Sequence, residues 1–221
     1  IGDSSSGNLY IDGVTLSHIS GGVTLNSTGS NGYVEFGTSD STLRSATVNA
    51  SKGITMFGNV TIEQASNFNA DFDADGIGTF TINSGKAFAS TENKNIAIVA
   101  SDLSVVGTIS SGTGQTTIST SNSGTIGLGG TTGGMTITGA ELEKITAGTL
   151  NIGNSSTGNI TVDGITASNS NNATTVNLTT ASASSVSFSN NNSTFNTLTT
   201  NGGSASFGSG LTVTTDTGKL T

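Results

Sequence analysis

The chain has 221 residues, with 6 Lys and Arg against 14 Asp and Glu, a net charge of −8, and neither cysteine nor proline. So few basic groups speak against nucleic acid as a partner, because neutralising phosphates takes Lys and Arg. Zero cysteines exclude a disulfide framework and a thiolate metal site, and no apolar run approaches the length of a membrane span.

Charged residues are only 9% of the chain, and none stands between Gly164 and Thr215. Such a composition, rich in Ser, Thr, Asn and Gly, is also that of disordered low complexity. The alternation of apolar residues argues against disorder. Runs at residues 9–16, 23–25, 34–36, 46–48 and 54–62 are each bounded by Gly, Asn, Ser or Asp. The pattern continues at 68–74, 79–82, 95–99, 103–105, 126–128 and 135–137. These read as short strands, and no proline interrupts a ladder. Residues 139–145 (GAELEKI) break the period. Good helix formers, three charges and apolar residues at Leu142 and Ile145 leave a single helical turn or a charged corner, the corner being preferred.

The chain then repeats its opening. Residues 152–168 (IGNSSTGNITVDGITAS) match residues 1–17 (IGDSSSGNLYIDGVTLS) at an offset of 151. Further matches follow at offsets of 150 to 152: residues 33–36 with 185–188, Leu43 with Phe195, Phe57-Gly58 with Phe207-Gly208, and 60–62 with 211–213. The expected organisation is a first copy over 1–151 and an incomplete second copy over 152–221, with no linker. A start in mid-repeat reads as a fragment or a processed segment. Charges drift between the copies while apolar positions recur, so the copies share packing.

Tandem sandwiches would need linkers. A linkerless repeat of short strands predicts an all-β fold, a right-handed parallel β-helix or β-solenoid. At about 20 residues per coil, one 151-residue copy holds about seven coils. Ser, Thr and Asn then belong to outward ladders and turns.

Six ordered segments carry a resemblance: 68–76 (FNADFDADG), 78–85 (GTFTINSG), 95–102 (NIAIVASD), 125–129 (TIGLG), 139–153 (GAELEKITAGTLNIG) and 158–162 (GNITV). Together they resemble the β-strand repeats of giant secreted surface proteins similar to filamentous haemagglutinins. The resemblance implies a β-solenoid rod outside the cell, an adhesin shaft or structural filament, and it brings no catalytic residues. Uncapped solenoid ends offer unpaired backbone groups, so the expected partners are neighbouring copies, packed end to end or laterally, together with cell-surface glycans or a host surface.

Asp71, Asp73 and Asp75 stand in the D-x-D-x-D-G form of a calcium loop ending at Gly76. The twelfth position is Ile82, where an EF-hand would place its bidentate Glu. The preferred reading is plainer: a strand with Phe68, Ala70, Phe72 and Ala74 inward leaves the carboxylates as a solvated edge, ~6.6–6.8 Å apart. Apart from calcium at this loop, no cofactor is expected.

Enzyme chemistry finds little to work with. The Asp residues as a glycosidase or lyase pair lack Arg, Lys and aromatic companions apart from Lys86 and a few Phe. Glu141 and Glu143 read as surface partners of Lys144. His18 is the sole histidine and aligns with Asn169 in the second copy, so a Ser-His-Asp triad would not recur. Sequons at Asn26, Asn49, Asn59, Asn154, Asn159, Asn172, Asn177, Asn191 and Asn192 become sugar sites only in an organism that glycosylates them. Three readings stand: a non-catalytic extracellular rod, first; an ice-binding solenoid, suggested by the triplets 136–138, 197–199 and 212–214 although their irregular spacing argues against a flat face, or a polysaccharide-binding one; and a carbohydrate-active enzyme, last.

Overall fold

The computed structural model describes residues 1–216 and 218–221, and it is a parallel β-solenoid. Among the described residues are 25 short strands and two single-turn helices. The opening coil lays Leu9–Ile11 on a first face, Thr15–Leu16 on a second and Val23–Ser27 on a third. Each later coil revisits the faces in the same direction. The ladders are therefore parallel, as between Leu9–Ile11 and Val34–Phe36, or Ile96–Ala100 and Gln115–Thr120.

Alternation within each strand decides what is buried. On the third face the inward column runs Leu25, Val48, Phe68, Ile98, Ile118, Ile152 and Leu178, neighbours being ladder partners. All seven are at most 3% exposed, and each such burial contributes about 1.5–3 kcal/mol. Phe68 lies at the centre of an aromatic cluster, with ring centroids 6.1 Å from Phe36, 6.2 Å from Phe80 and 4.6 Å from Phe88. Outward, the same strands carry Thr24, Thr47, Asn67, Ala97, Thr117, Asn151, Asn177 and Thr199 in one file. Amide ladders tie parts of that surface together: Asn177 Nδ2 donates to Asn151 Oδ1 at 2.8 Å, and Asn49 Nδ2 to Asn26 Oδ1 at 2.9 Å.

The two copies use the same bonds. Asn8 Oδ1 accepts from Tyr33 N, and Asn159 Oδ1 from Ser185 N. Ser41 Oγ accepts from Val14 N, as Ser193 Oγ does from Ile165 N. The boundary at 151/152 falls inside a strand, Ile145–Gly153, so the stack passes through it without a seam. Two of the expected alignments slip. Because Phe36 pairs with Met56 and Phe188 with Phe207, Phe207 takes the place of Met56 and not of Phe57. Ser41 pairs with Val60 and Ser193 with Val213, so Val213 takes the place of Val60. Turn lengths differ between copies, and ladder register fixes equivalence more strongly than local identity does.

On the third face one copy takes six coil steps, from Val23 to Val176. The expectation of about seven assumed coils near 20 residues, whereas ladder partners on this face lie 20 to 34 residues apart, as in Val48↔Phe68 and Ile118↔Ile152. The two longest coils carry insertions. One is the turn containing Asp71–Gly76, described below. The other sends the chain along Ile126–Gly129 and back to Met135–Ile137, two parallel neighbours on the first face. That face thus gains one rung over the others, and its sheet breaks between Asp102–Val105 and Met135–Ile137.

Carboxylates bridge the break. Asp102 Oδ1 accepts from Thr136 N at 2.9 Å, and Glu141 Oε1 accepts from Val105 N at 3.1 Å. Glu141 sits in α1 (Gly139–Leu142), so the stretch expected as a corner contains a helical turn. Its short length is compensated by a capping box: Thr138 Oγ1 accepts from Glu141 N, and Glu141 Oε2 accepts from Thr138 N. A second turn, α2 (Ala167–Ser170), follows Thr166 in the next coil, where Thr166 N and Oγ1 both donate to Asn169 Oδ1 and Asn169 N donates to the Thr166 carbonyl.

Candidate functional site

The chain's longest passage from the third face to the first runs from Phe68 to Phe80. In the coil before it, Val48 and Ile54 are separated by only six positions. This extra length is a turn. The strand Ser66–Asn69 ends before the acidic residues, Ala74 takes a φ of 55° and Gly76 one of 84°, and the chain folds back on itself. Asp71 N donates to Asn69 Oδ1, Gly76 N to Asp71 Oδ2, and Ile77 N to Asp75 Oδ1.

The fold-back corrects the preferred expectation of an extended edge. Asp71 is fully buried, whereas Phe72 is 49% exposed, the reverse of the expected alternation. Asp73 and Asp75 remain exposed. One oxygen from each of Asp71, Asp73 and Asp75 lies within 4.8 Å of the others. Ser121 Oγ donates to Asp71 Oδ2, while Asp71 Oδ1 is buried and has no hydrogen-bond partner.

Lys52 closes the site from the neighbouring coil. Its ammonium contacts Asp75 and lies 3.8 Å from Asp73 Oδ2. The hydrogen bond between Lys52 and Asp75 holds the Asp75 carboxyl below its usual range and raises the Lys52 ammonium. Among the described residues these are the ion pairs formed by side chains. Set against protein-family models, curated proteins and solved structures, the chain matches none.

The remaining candidates are dispersed. His18 is exposed, with Nδ1 2.9 Å from Ser17 Oγ and no carboxylate partner among the described residues. The expected surface pairing of Lys144 is absent among those residues, because Glu141 is turned toward backbone N–H groups. A cleft lined by Lys86 and Lys144 contains no carboxylate or histidine. The three Thr-x-Thr triplets lie around strands of three different sheets, Met135–Ile137, Leu198–Asn201 and Val213–Thr215, so they do not build one flat array.

The sequon asparagines are bound into the fold. Asn59 Oδ1 accepts from Ala87 N, Asn192 Oδ1 from Thr212 N, and Asn172 Nδ2 donates to Glu143 O. Asn154 Oδ1 accepts from Ser156 N within a turn, and Asn191 Nδ2 donates to Asp163. Their frequency reflects turn and ladder chemistry. Glu141 is the structural residue that sequence reasoning missed, although Thr138-Gly-Ala-Glu141 has the [ST]-x-x-E spacing that signals a capping box.

Proposed function

We propose that the chain is a length of an extracellular, non-catalytic rod of the adhesin-shaft or structural-filament type. The observation that carries this reading is the recurrence of small polar residues, mostly Thr, Ser and Asn, along the three outward surfaces. The first face presents Tyr10 and Glu35, then Thr55, Thr81 and Ser104, with Thr161 and Ser187 beyond the break, and the second presents Thr15, Thr42, Thr61, Ala89, Ser110 and Thr146. The third presents the Thr and Asn file already described. Catalytic sites and ligand grooves single out one place on a scaffold, whereas here small polar residues recur on most coils. What repetition of this kind produces is length.

Six steps of ~4.8 Å make each 151-residue copy add about 29 Å of rod. Electron microscopy of the native material, together with small-angle scattering of chains carrying one, two and three copies, tests this directly. Rods that lengthen by that increment support the proposal. Compact particles of constant length would overturn it.

One observation favours a second reading, an ice-binding or polysaccharide-binding face. On the third face, T-x-N recurs at residues 24–26, 47–49 and 199–201, with N-x-N at 67–69 and N-x-T at 177–179. Ala97 and Val99 interrupt the array, and the Asn26–Asn49 and Asn151–Asn177 pairs satisfy part of it internally. Thermal-hysteresis measurements and polysaccharide pull-down decide whether this face acts as a surface in its own right.

A further inference from the structure

We propose that the Asp71–Gly76 turn is a calcium site, with Asp71 as its buried anchor and Lys52 as the internal cation that holds the exposed carboxylates when calcium is scarce. This goes beyond the rod reading and stands on separate observations. The first is spacing. Calcium–oxygen bonds of about 2.3–2.6 Å place ligand oxygens no more than about 4.6–5.2 Å apart across one ion. The oxygens offered by Asp71, Asp73 and Asp75 fall within 4.8 Å of one another.

The second observation is the partnerless oxygen. Asp71 is fully buried and Oδ2 has two donors, but Oδ1 has none. A buried carboxylate oxygen left without a partner costs the desolvation of a charged group, and such an oxygen in a folded protein calls for an explanation, which a cation ligated there supplies. Among the described residues the one other buried side-chain oxygen in this state is Ser51 Oγ. It precedes Lys52 and sits one coil away, where Ala50 O accepts from Phe72 N.

The third is charge. Three carboxylates against one ammonium leave an excess of two negative charges, which a divalent cation balances. Oxygen-only donors and a turn that tolerates irregular geometry suit calcium. The twelfth position of the loop, Ile82, is fully buried in the core and contributes no ligand. Water completes the shell, and the affinity falls in the weak range of extracellular modules, a Kd of about 10⁻⁴–10⁻³ M.

The test uses the whole chain, stripped with chelator and titrated with calcium by calorimetry, alongside amide exchange over residues 71–77. Binding in that range, with slowed exchange at Gly76 and Ile77, supports the site. Asp73→Asn combined with Asp75→Asn alters only exposed groups and should abolish binding, and Asp71→Asn should do the same where it folds. Lys52→Met should tighten binding about tenfold, the factor for removing a unit charge about 6 Å from a divalent ion in water. No heat at millimolar calcium, or unchanged affinity in the Asp73/Asp75 double variant, would overturn the site. Weaker binding by Lys52→Met would overturn the role given to Lys52.

Discussion

Replacing Glu141 by alanine should destabilise the chain far more than its place on a surface turn suggests. The carboxylate accepts from Val105 N at 3.1 Å, from Thr138 N at 3.0 Å and from Thr138 Oγ1 at 2.9 Å. Val105 is 3% exposed and lies at the break in the first face, where no neighbouring strand takes its N–H. Stranding that donor costs about 1–3 kcal/mol, and loss of the capping box adds about 1 kcal/mol. The expected loss is then about 2–4 kcal/mol. Glu141→Gln should lose about half as much, since the amide keeps one acceptor oxygen but turns a donor toward an N–H. Lys144→Ala is the control and should change stability by less than about 0.5 kcal/mol. Urea denaturation gives the total, and because coils can unfold separately, amide exchange at Val105 localises it. An alanine variant within 0.5 kcal/mol of the parent, or unaltered exchange at Val105, would refute the reasoning.

Three further outcomes are expected. Phe68→Ala empties the centre of the aromatic cluster and should cost about 3–5 kcal/mol, read by denaturant midpoint. Asp163, only 4% exposed, accepts from the side chains of Asn190 and Asn191 and from Asn191 N. The Asn190 side chain is the main reason that its carboxyl titrates below the usual range, with desolvation opposing. Its contribution is accordingly complete above about pH 4 and disappears as pH falls through the lowered folded value; Asp163→Asn should flatten that part of the stability profile. Asn177→Ala removes one bond of the outward amide ladder and should cost about 0.5–1.5 kcal/mol, with amide exchange rising locally around Asn151.

The inward columns were legible because burial imposes a period of two on every strand: Leu25, Val48, Ile98 and Ile118 stand where alternation puts them. The duplicated opening was legible too, since the same coil needs the same turn chemistry at Asn8 and Asn159. Register was harder. Phe57-Gly58 and Phe207-Gly208 look alike, yet a single added residue in a turn moves a side chain from the inward to the outward row, and only the ladder tells which. At the acidic turn the sequence carried both answers. Extending the strand through Asp75 made an exposed edge, whereas Gly76 and the D-x-D spacing announced a fold-back that buries Asp71. The break in the first face had no sequence signature, because the pairing of Ile126–Gly129 with Met135–Ile137 is settled by what lies above and below them.

The ladder spacing on the third face has a mechanical side. Strand-to-strand hydrogen bonds run along the axis of the rod, so a pull on its ends loads one coil at a time instead of shearing a whole sheet. Each coil peeled away surrenders about 4.8 Å of rod. With ladder partners such as Val48↔Phe68 and Ile118↔Ile152, it releases 20 to 34 residues, or about 65–120 Å of extended chain. A solenoid built this way lengthens more than tenfold wherever it yields, absorbing work before any covalent bond is strained.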